Sequence, residues 1–206
     1  MQAGIGNTNS FWLRRIHSLL GFIPFGIYLP IHFAFNSTIF SGPQAFTDFV
    51  QSTQGFALTI FLEIGLLAVP ILFHIILGIV IVYSGSSNVT SYGYYRNWMY
   101  TLQRISGMVL VPFLFIHIWK TRLQATFSGH HVDAVYMSEY LSPFGTKMLY
   151  IIGILAAAFH LSNGVSTMLM TWGITQSERS QDVVSKLMWL VFLLMSVWGI
   201  AIVFAF

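Results

Sequence analysis

The stretch MLYIIGILAAAFHLSNGVSTMLMTWG (148–173) is apolar for most of its length, yet one histidine, His160, sits near its middle. About 20 mostly apolar residues suffice for a helix to cross the hydrocarbon core of a bilayer. An imidazole inside such a segment is costly unless it packs, relays a proton or binds a metal. The other spans of the chain narrow that choice.

Four more segments resemble the first. The five lie at roughly 16–40, 57–83, 103–125, 146–173 and 185–206. Only 7% of the 206 residues are charged and 56% are hydrophobic, whereas a soluble domain carries roughly 25% charged residues. These features predict an all-α integral membrane protein with five transmembrane helices in a single unit, 1–206. Helix is the expected state because backbone polar groups in lipid must be satisfied within the segment. Pro24, Pro30, Pro70 and Pro112 fall inside spans, where kinks are tolerated. The apolar run after Arg14 and Arg15 is too long for a cleaved signal and reads as the first anchor. Polar connectors such as 84–97 and 126–145 separate the spans.

The net charge of +3 comes from basic residues scattered at segment ends, so it gives no reason to expect a nucleic-acid partner. With the N-terminus inside, Arg14, Arg15, Arg96, Arg104, Arg179 and Lys186 lie on the inner side. Lys120, Arg122 and Lys147 lie on the outer side. This excess favours a cytoplasmic N-terminus and an outer C-terminus. Trp12, Trp98, Trp119, Trp172 and Tyr83 sit near span ends, as an interfacial belt requires.

Each of the first four spans carries one interior histidine: His32, His74, His117 and His160, separated by 42, 43 and 43 residues. At ~1.5 Å per residue, His32 and His117 lie roughly 24 and 20 Å above the inner ends of their helices. His74 lies roughly 14 Å above the inner end of the second span, and His160 roughly 20 Å below the outer end of the fourth. They sort into an outer pair, His32 and His117, and an inner pair, His74 and His160. Each pair comes from alternate helices, which face each other diagonally in an up-down four-helix bundle. A diagonal gap of roughly 12–14 Å follows from neighbour spacings of ~8–10 Å and suits a porphyrin with an imidazole on each face. The first four spans are then expected to form a bundle around two haems. Gly78, Gly107, Gly153 and Gly164 either leave room for the macrocycles or serve ordinary helix packing.

The chain contains no cysteine, which excludes disulfides, thiolate-held iron–sulfur clusters and covalent c-type haem. Two axial histidines leave no open iron position, a pattern suited to electron transfer rather than oxygen chemistry. For anionic propionates, the inner candidates are Arg104, His17 and Ser18, with Arg14 and Arg15 also serving topology. Lys120 and Arg122 are the outer candidates. Glu63, the one acid inside a span, either handles protons beside a quinone or reaches the outer interface. His130 and His131 read as solvated loop residues. A haem-free transporter with a histidine proton relay remains the rival reading.

The stretches FWLRRIHSLLGFIPFGIYLPIH (11–32), HIILGIVIVYSG (74–85), YYRNWMYTLQRISG (94–107), HIWKTR (117–122) and FHLSNG…TWGIT…RSQ (159–181) cover nearly the whole chain in order. They resemble the cytochrome b membrane anchors of succinate:menaquinone oxidoreductases, in the five-helix, two-haem form of Gram-positive bacteria. The resemblance implies two haem b groups, the distal one on His32 and His117 and the other on His74 and His160. It implies a flavoprotein subunit and an iron–sulfur subunit as partners, menaquinone as the membrane substrate, and a bacterial plasma-membrane location. The chain would not itself act on succinate. Some two-haem fumarate reductases carry a glutamate two residues before the fourth-helix ligand; here that position is Ala158, so their proton pathway is not carried over. Anchors of fumarate reductases, nitrate reductases or hydrogenases are the neighbouring alternatives.

Overall fold

A computed structural model describes residues 8–54, 57–129 and 132–206, all of whose regular elements are helical. Five helices are long and apolar enough to cross a membrane: α1 (Phe11–Ser41), α3 (Leu58–Ser84), α4 (Tyr95–Ser128), α6 (Phe144–Thr171) and α7 (Glu178–Ala205). Two short helices, α2 (Pro43–Gln54) and α5 (Ala134–Leu141), lie in the connections.

Three spans contain a widened π turn. In α1 it covers Gly21–Gly26 and includes Pro24. In α3 it covers Glu63–Ala68, just before Pro70. Proline lacks an N–H and its ring crowds the carbonyl four residues back, so the turn before it opens. Pro112 behaves differently and sits in regular helix. The wide turn of α4 comes later, at Trp119–Leu123. There the Thr121 hydroxyl donates to the His117 carbonyl at 2.7 Å, competing with the backbone ladder.

Among the helices that run further than the apolar count predicts, α4 begins at Tyr95 rather than near 103, and α7 at Glu178 rather than near 185. The added turns are polar and held by side chains. Ser177 Oγ accepts from the Ser180 N–H at the start of α7. Arg96 donates to Gln181 at 2.8 Å, and Trp189 Nε1 donates to the Tyr95 hydroxyl at 2.8 Å. A hydropathy rule measures the lipid-crossing part of a helix, whereas the helix itself continues wherever its polar ends find partners.

Helix α1 packs on α3 and α6, and α4 packs closely on α6 and more lightly on α3. The cyclic order α1–α3–α4–α6 leaves α1 opposite α4 and α3 opposite α6. Helix α7 lies outside this ring, against α6 and the C-terminal half of α1. Gly199 of α7 permits that approach, because a Cβ there would come within 2.8 Å of both Phe33 and Ile154. Large apolar side chains of α3, among them Phe61, Leu72 and Ile76, are exposed, as expected of a lipid-facing helix.

The tightest packing is at the end away from the N-terminus. Phe46 of α2 and Val132, Ala134, Met137 and Leu141 around α5 are buried together with Ile39 and Tyr150. The connector that reads as polar loop therefore includes a helix. Its start is fixed by Asp133, whose carboxylate accepts from the Tyr136 N–H at 2.8 Å. The phenols of Tyr136 and Tyr140, outside the spans, are raised above their ordinary range by burial.

Candidate functional site

The ring of helices brings the four interior histidines together in two pairs. The His32 and His117 rings stand 5.8 Å apart between centroids, with planes at 89°. The His74 and His160 rings stand 6.1 Å apart, at 90°. Among the described residues no hydrogen bond joins the two rings of either pair, and no cluster of three or more His, Cys, Asp or Glu forms a bare metal site. Two imidazoles would complete the shell of a group that brings its own in-plane ligands.

The spacing tests that fit. A metal–imidazole bond is ~2.0–2.1 Å, and an imidazole nitrogen lies about 1.1 Å from its ring centre. Two imidazoles on opposite sides of one metal therefore have centroids about 6 Å apart. Both observed separations agree with this value.

Each ring is also held at its other nitrogen. His74 Nδ1 donates to the His17 carbonyl at 2.8 Å. His160 Nδ1 lies 3.1 Å from the Gln103 carbonyl and 3.2 Å from Ser106 Oγ. Gln103 Nε2 donates to the His160 carbonyl at 3.0 Å, and Asn163 donates to Gln103 Oε1 at 2.7 Å, which fixes the amide. His117 Nδ1 is 3.2 Å from the Tyr150 hydroxyl, and His32 Nδ1 is 3.4 Å from the Tyr28 hydroxyl. Engaging Nδ1 leaves Nε2 as the ligating nitrogen of His74, His160 and His117, whereas at His32 the Asn36 amide nitrogen reaches both Nδ1, at 3.5 Å, and Nε2, at 3.4 Å. Such partners ordinarily accompany metal-bound imidazoles. Gln103, Ser106, Tyr150 and Tyr28 were not legible as site residues, because nothing in their spacing separates them from other polar residues in spans.

The glycines divide by neighbour. A Cβ at Gly107 would come within 2.9 Å of His160 Cε1, and one at Gly78 within 3.2 Å of His17 Nε2. Gly153 lies under the Phe113 ring, and Gly164 lies beside Gln103. Gly21, absent from the sequence candidates, touches the pair most closely: a Cβ there would approach His74 Cε1 to 2.5 Å. These glycines make room for imidazoles and their neighbours.

The remaining candidates have defined places. The His17 ring lies flat on that of His74. Ser18 Oγ donates to the Arg15 carbonyl at 2.8 Å and accepts from Trp172 Nε1 at 3.2 Å. Arg15 spans to the Thr171 carbonyl at 2.8 Å. Arg104 donates to the Ile81 carbonyl at 3.2 Å and lies over the Tyr100 ring. Its guanidinium also borders an apolar groove of about 520 Å³ along α4 and α6. Glu63 and Arg122 form an ion pair: Nε and Nη2 reach Oε2 at 2.9 and 2.8 Å. The pair joins the π turn of α3 to that of α4. His130 and His131 lie outside the described residues.

Two comparisons with known proteins bear on this arrangement. The family described as succinate dehydrogenase/fumarate reductase transmembrane subunit matches residues 86–202. The succinate dehydrogenase cytochrome b558 subunit of Bacillus subtilis (strain 168) is 34% identical over 202 residues, covering 98% of this chain and 100% of that protein.

Proposed function

The chain belongs to the succinate dehydrogenase/fumarate reductase transmembrane subunit family, and from that premise we propose that it is a dihaem electron conduit between an iron–sulfur subunit and menaquinone. The observation that carries this reading is the pair of facing imidazole couples at 5.8 and 6.1 Å. A single couple would serve one haem; two at different depths provide a route across the bilayer.

A bis-imidazole haem b supplies one-electron transfer without an open iron position. The chain's residues hold and orient it. His74 and His160 would hold the inner group, and His32 and His117 the outer one. The bonds to His17, Gln103, Ser106, Tyr150 and Tyr28 fix ring orientation. At the inner end, Arg104, His17 and Ser18 are the donors in reach of anionic propionates. Outside them, α2 and α5 close the end beyond the outer pair and exclude water.

The cysteine-free chain holds no iron–sulfur cluster, so electrons from succinate must arrive from partners. A flavoprotein subunit and an iron–sulfur subunit fit that need, docked on the inner face. With both groups bound, the His74/His160 site would lie on the partner side and the His32/His117 site on the quinone side. Glu63, paired with Arg122, stands at the outer level, at the end of the helix ring where the quinone would be reduced. The excess of basic residues on one side supports an N-terminus in the cytoplasm and a C-terminus outside, and the likeness to a bacterial anchor supports the plasma membrane as its place.

The test is a dithionite-reduced minus oxidised spectrum with pyridine haemochrome quantitation on the complex purified with its partners. Two b haems per chain are expected, with His74→Ala and His117→Ala each losing a different one. A haem-free wild-type complex, made with adequate haem supply, rejects the reading.

A further inference from the structure

Beyond the four facing histidines, a fifth imidazole stands in the inner site. His17 lies on α1 and lays its ring against that of His74 on α3, with centroids 4.0 Å apart and planes 10° from parallel. The same residue's carbonyl accepts from His74 Nδ1 at 2.8 Å. Gly78 supplies the space on α3 that His17 Nε2 occupies. Gly21, one turn along α1, leaves the room that the His74 ring fills, since a Cβ there would come within 2.5 Å of Cε1. Position 21 thus admits the His74 ring and the His17 ring covers its face. At the outer pair the flat neighbours stand further off: Tyr28 tilts against His32 at 5.4 Å and 31°, and Phe113 stacks on His117 at 5.7 Å and 23°.

We propose that His17 is a positioning residue for the inner site: its flat ring fixes the plane of the His74 imidazole and thereby the right-angled setting against His160. This rests on the dihaem reading and goes beyond a donor role toward propionates. Two contributions from one residue are separable by substitution. The backbone carbonyl survives any change at position 17, so the His74 hydrogen bond keeps its acceptor. The stacking surface disappears with an aliphatic side chain and is kept with a flat apolar ring. For the setting of the His74 plane the nitrogen atoms of His17 are then dispensable, whereas its flat shape is not.

The experiment compares His17→Leu with His17→Phe in the assembled complex, reading low-spin haem signals by electron paramagnetic resonance and each haem's midpoint potential by redox titration. His74→Ala identifies the inner signal. In His17→Leu the inner signal and potential should shift, or the inner haem be lost, with the outer haem unchanged. His17→Phe should restore the wild-type inner signal. A His17→Leu inner haem identical to wild type overturns the proposal. So does a failure of His17→Phe to restore it, or an equal change at both haems. Absence of two haems from the wild-type complex would instead reject the dihaem reading itself.

Discussion

His74 and His160 face each other across 6.1 Å with their ring planes at 90°. Neither ring is free to turn, since His74 is bonded to the His17 carbonyl and His160 to that of Gln103. His32 and His117 repeat the relationship at 5.8 Å and 89°. Right-angled axial planes leave the two dπ orbitals of a low-spin iron nearly degenerate. In the proposed dihaem state, both oxidised groups should therefore give strongly anisotropic signals with a large gmax. Ordinary rhombic low-spin signals from both would contradict the ring planes described here.

Enlarging Gly107 should damage the inner site selectively. A Cβ at that position meets His160 Cε1 at 2.9 Å, against a backbone packed closely on α6. Overpacking of this kind costs about 1–3 kcal/mol. Gly107→Val should lose or shift the inner haem and keep the outer one, as read in the reduced-minus-oxidised spectrum.

The Glu63–Arg122 pair should show its worth in a double-mutant cycle. Its side chains are 28% and 38% exposed, counting Arg122 first, so it is neither a surface pair nor a dry one. Removing one partner leaves a charge at membrane depth without its counterion. Glu63→Gln or Arg122→Gln alone should lower the thermal midpoint of the complex, and the double variant should recover part of the loss. A coupling of about 0.5–3 kcal/mol is the range for residues in direct contact. Additive losses would mean that the pair contributes nothing jointly. If Glu63 also serves the quinone, Glu63→Gln should slow quinone reduction while succinate still reduces both haems.

Asp133 tests the closed end. Its carboxylate caps α5, and Asp133→Ala should cost about 1 kcal/mol, as loss of an N-cap does. Hydrogen exchange should quicken at Tyr136 and Met137 and leave the inner half of α6 unchanged. An unchanged exchange rate in α5 would show that the burial of Met137 and Leu141 holds the helix without its cap.

Much of the fold is legible in the chain because lipid removes alternatives. With backbone polar groups needing partners inside each segment, long apolar runs can only be helices, and the five spans follow from counting. The pairing of histidines follows too, since helical rise is fixed and consecutive spans alternate direction. The short helices were harder to see. In α2, Phe46 and Val50 share a face whose partners, Phe206 and the α5 cluster, come from distant parts of the chain. Pro112 sits in regular helix, and the wide turn of α4 comes at Trp119–Leu123, where the Thr121 hydroxyl donates to the His117 carbonyl, a contact that no spacing in the sequence announces.

What the sequence by itself determined is the number of spans, their helical state and the depth of each interior histidine. These depend on local composition and on a constant rise per residue. Only the tertiary structure decided the rest: which carbonyl or hydroxyl meets each Nδ1, that Gly21 admits the His74 ring and His17 covers it, and that Arg122 reaches Glu63. Those contacts join residues as far apart as His17 and His74, or Gln103 and His160. Their geometry depends on how the helices rotate and approach, which spacing along the chain leaves free.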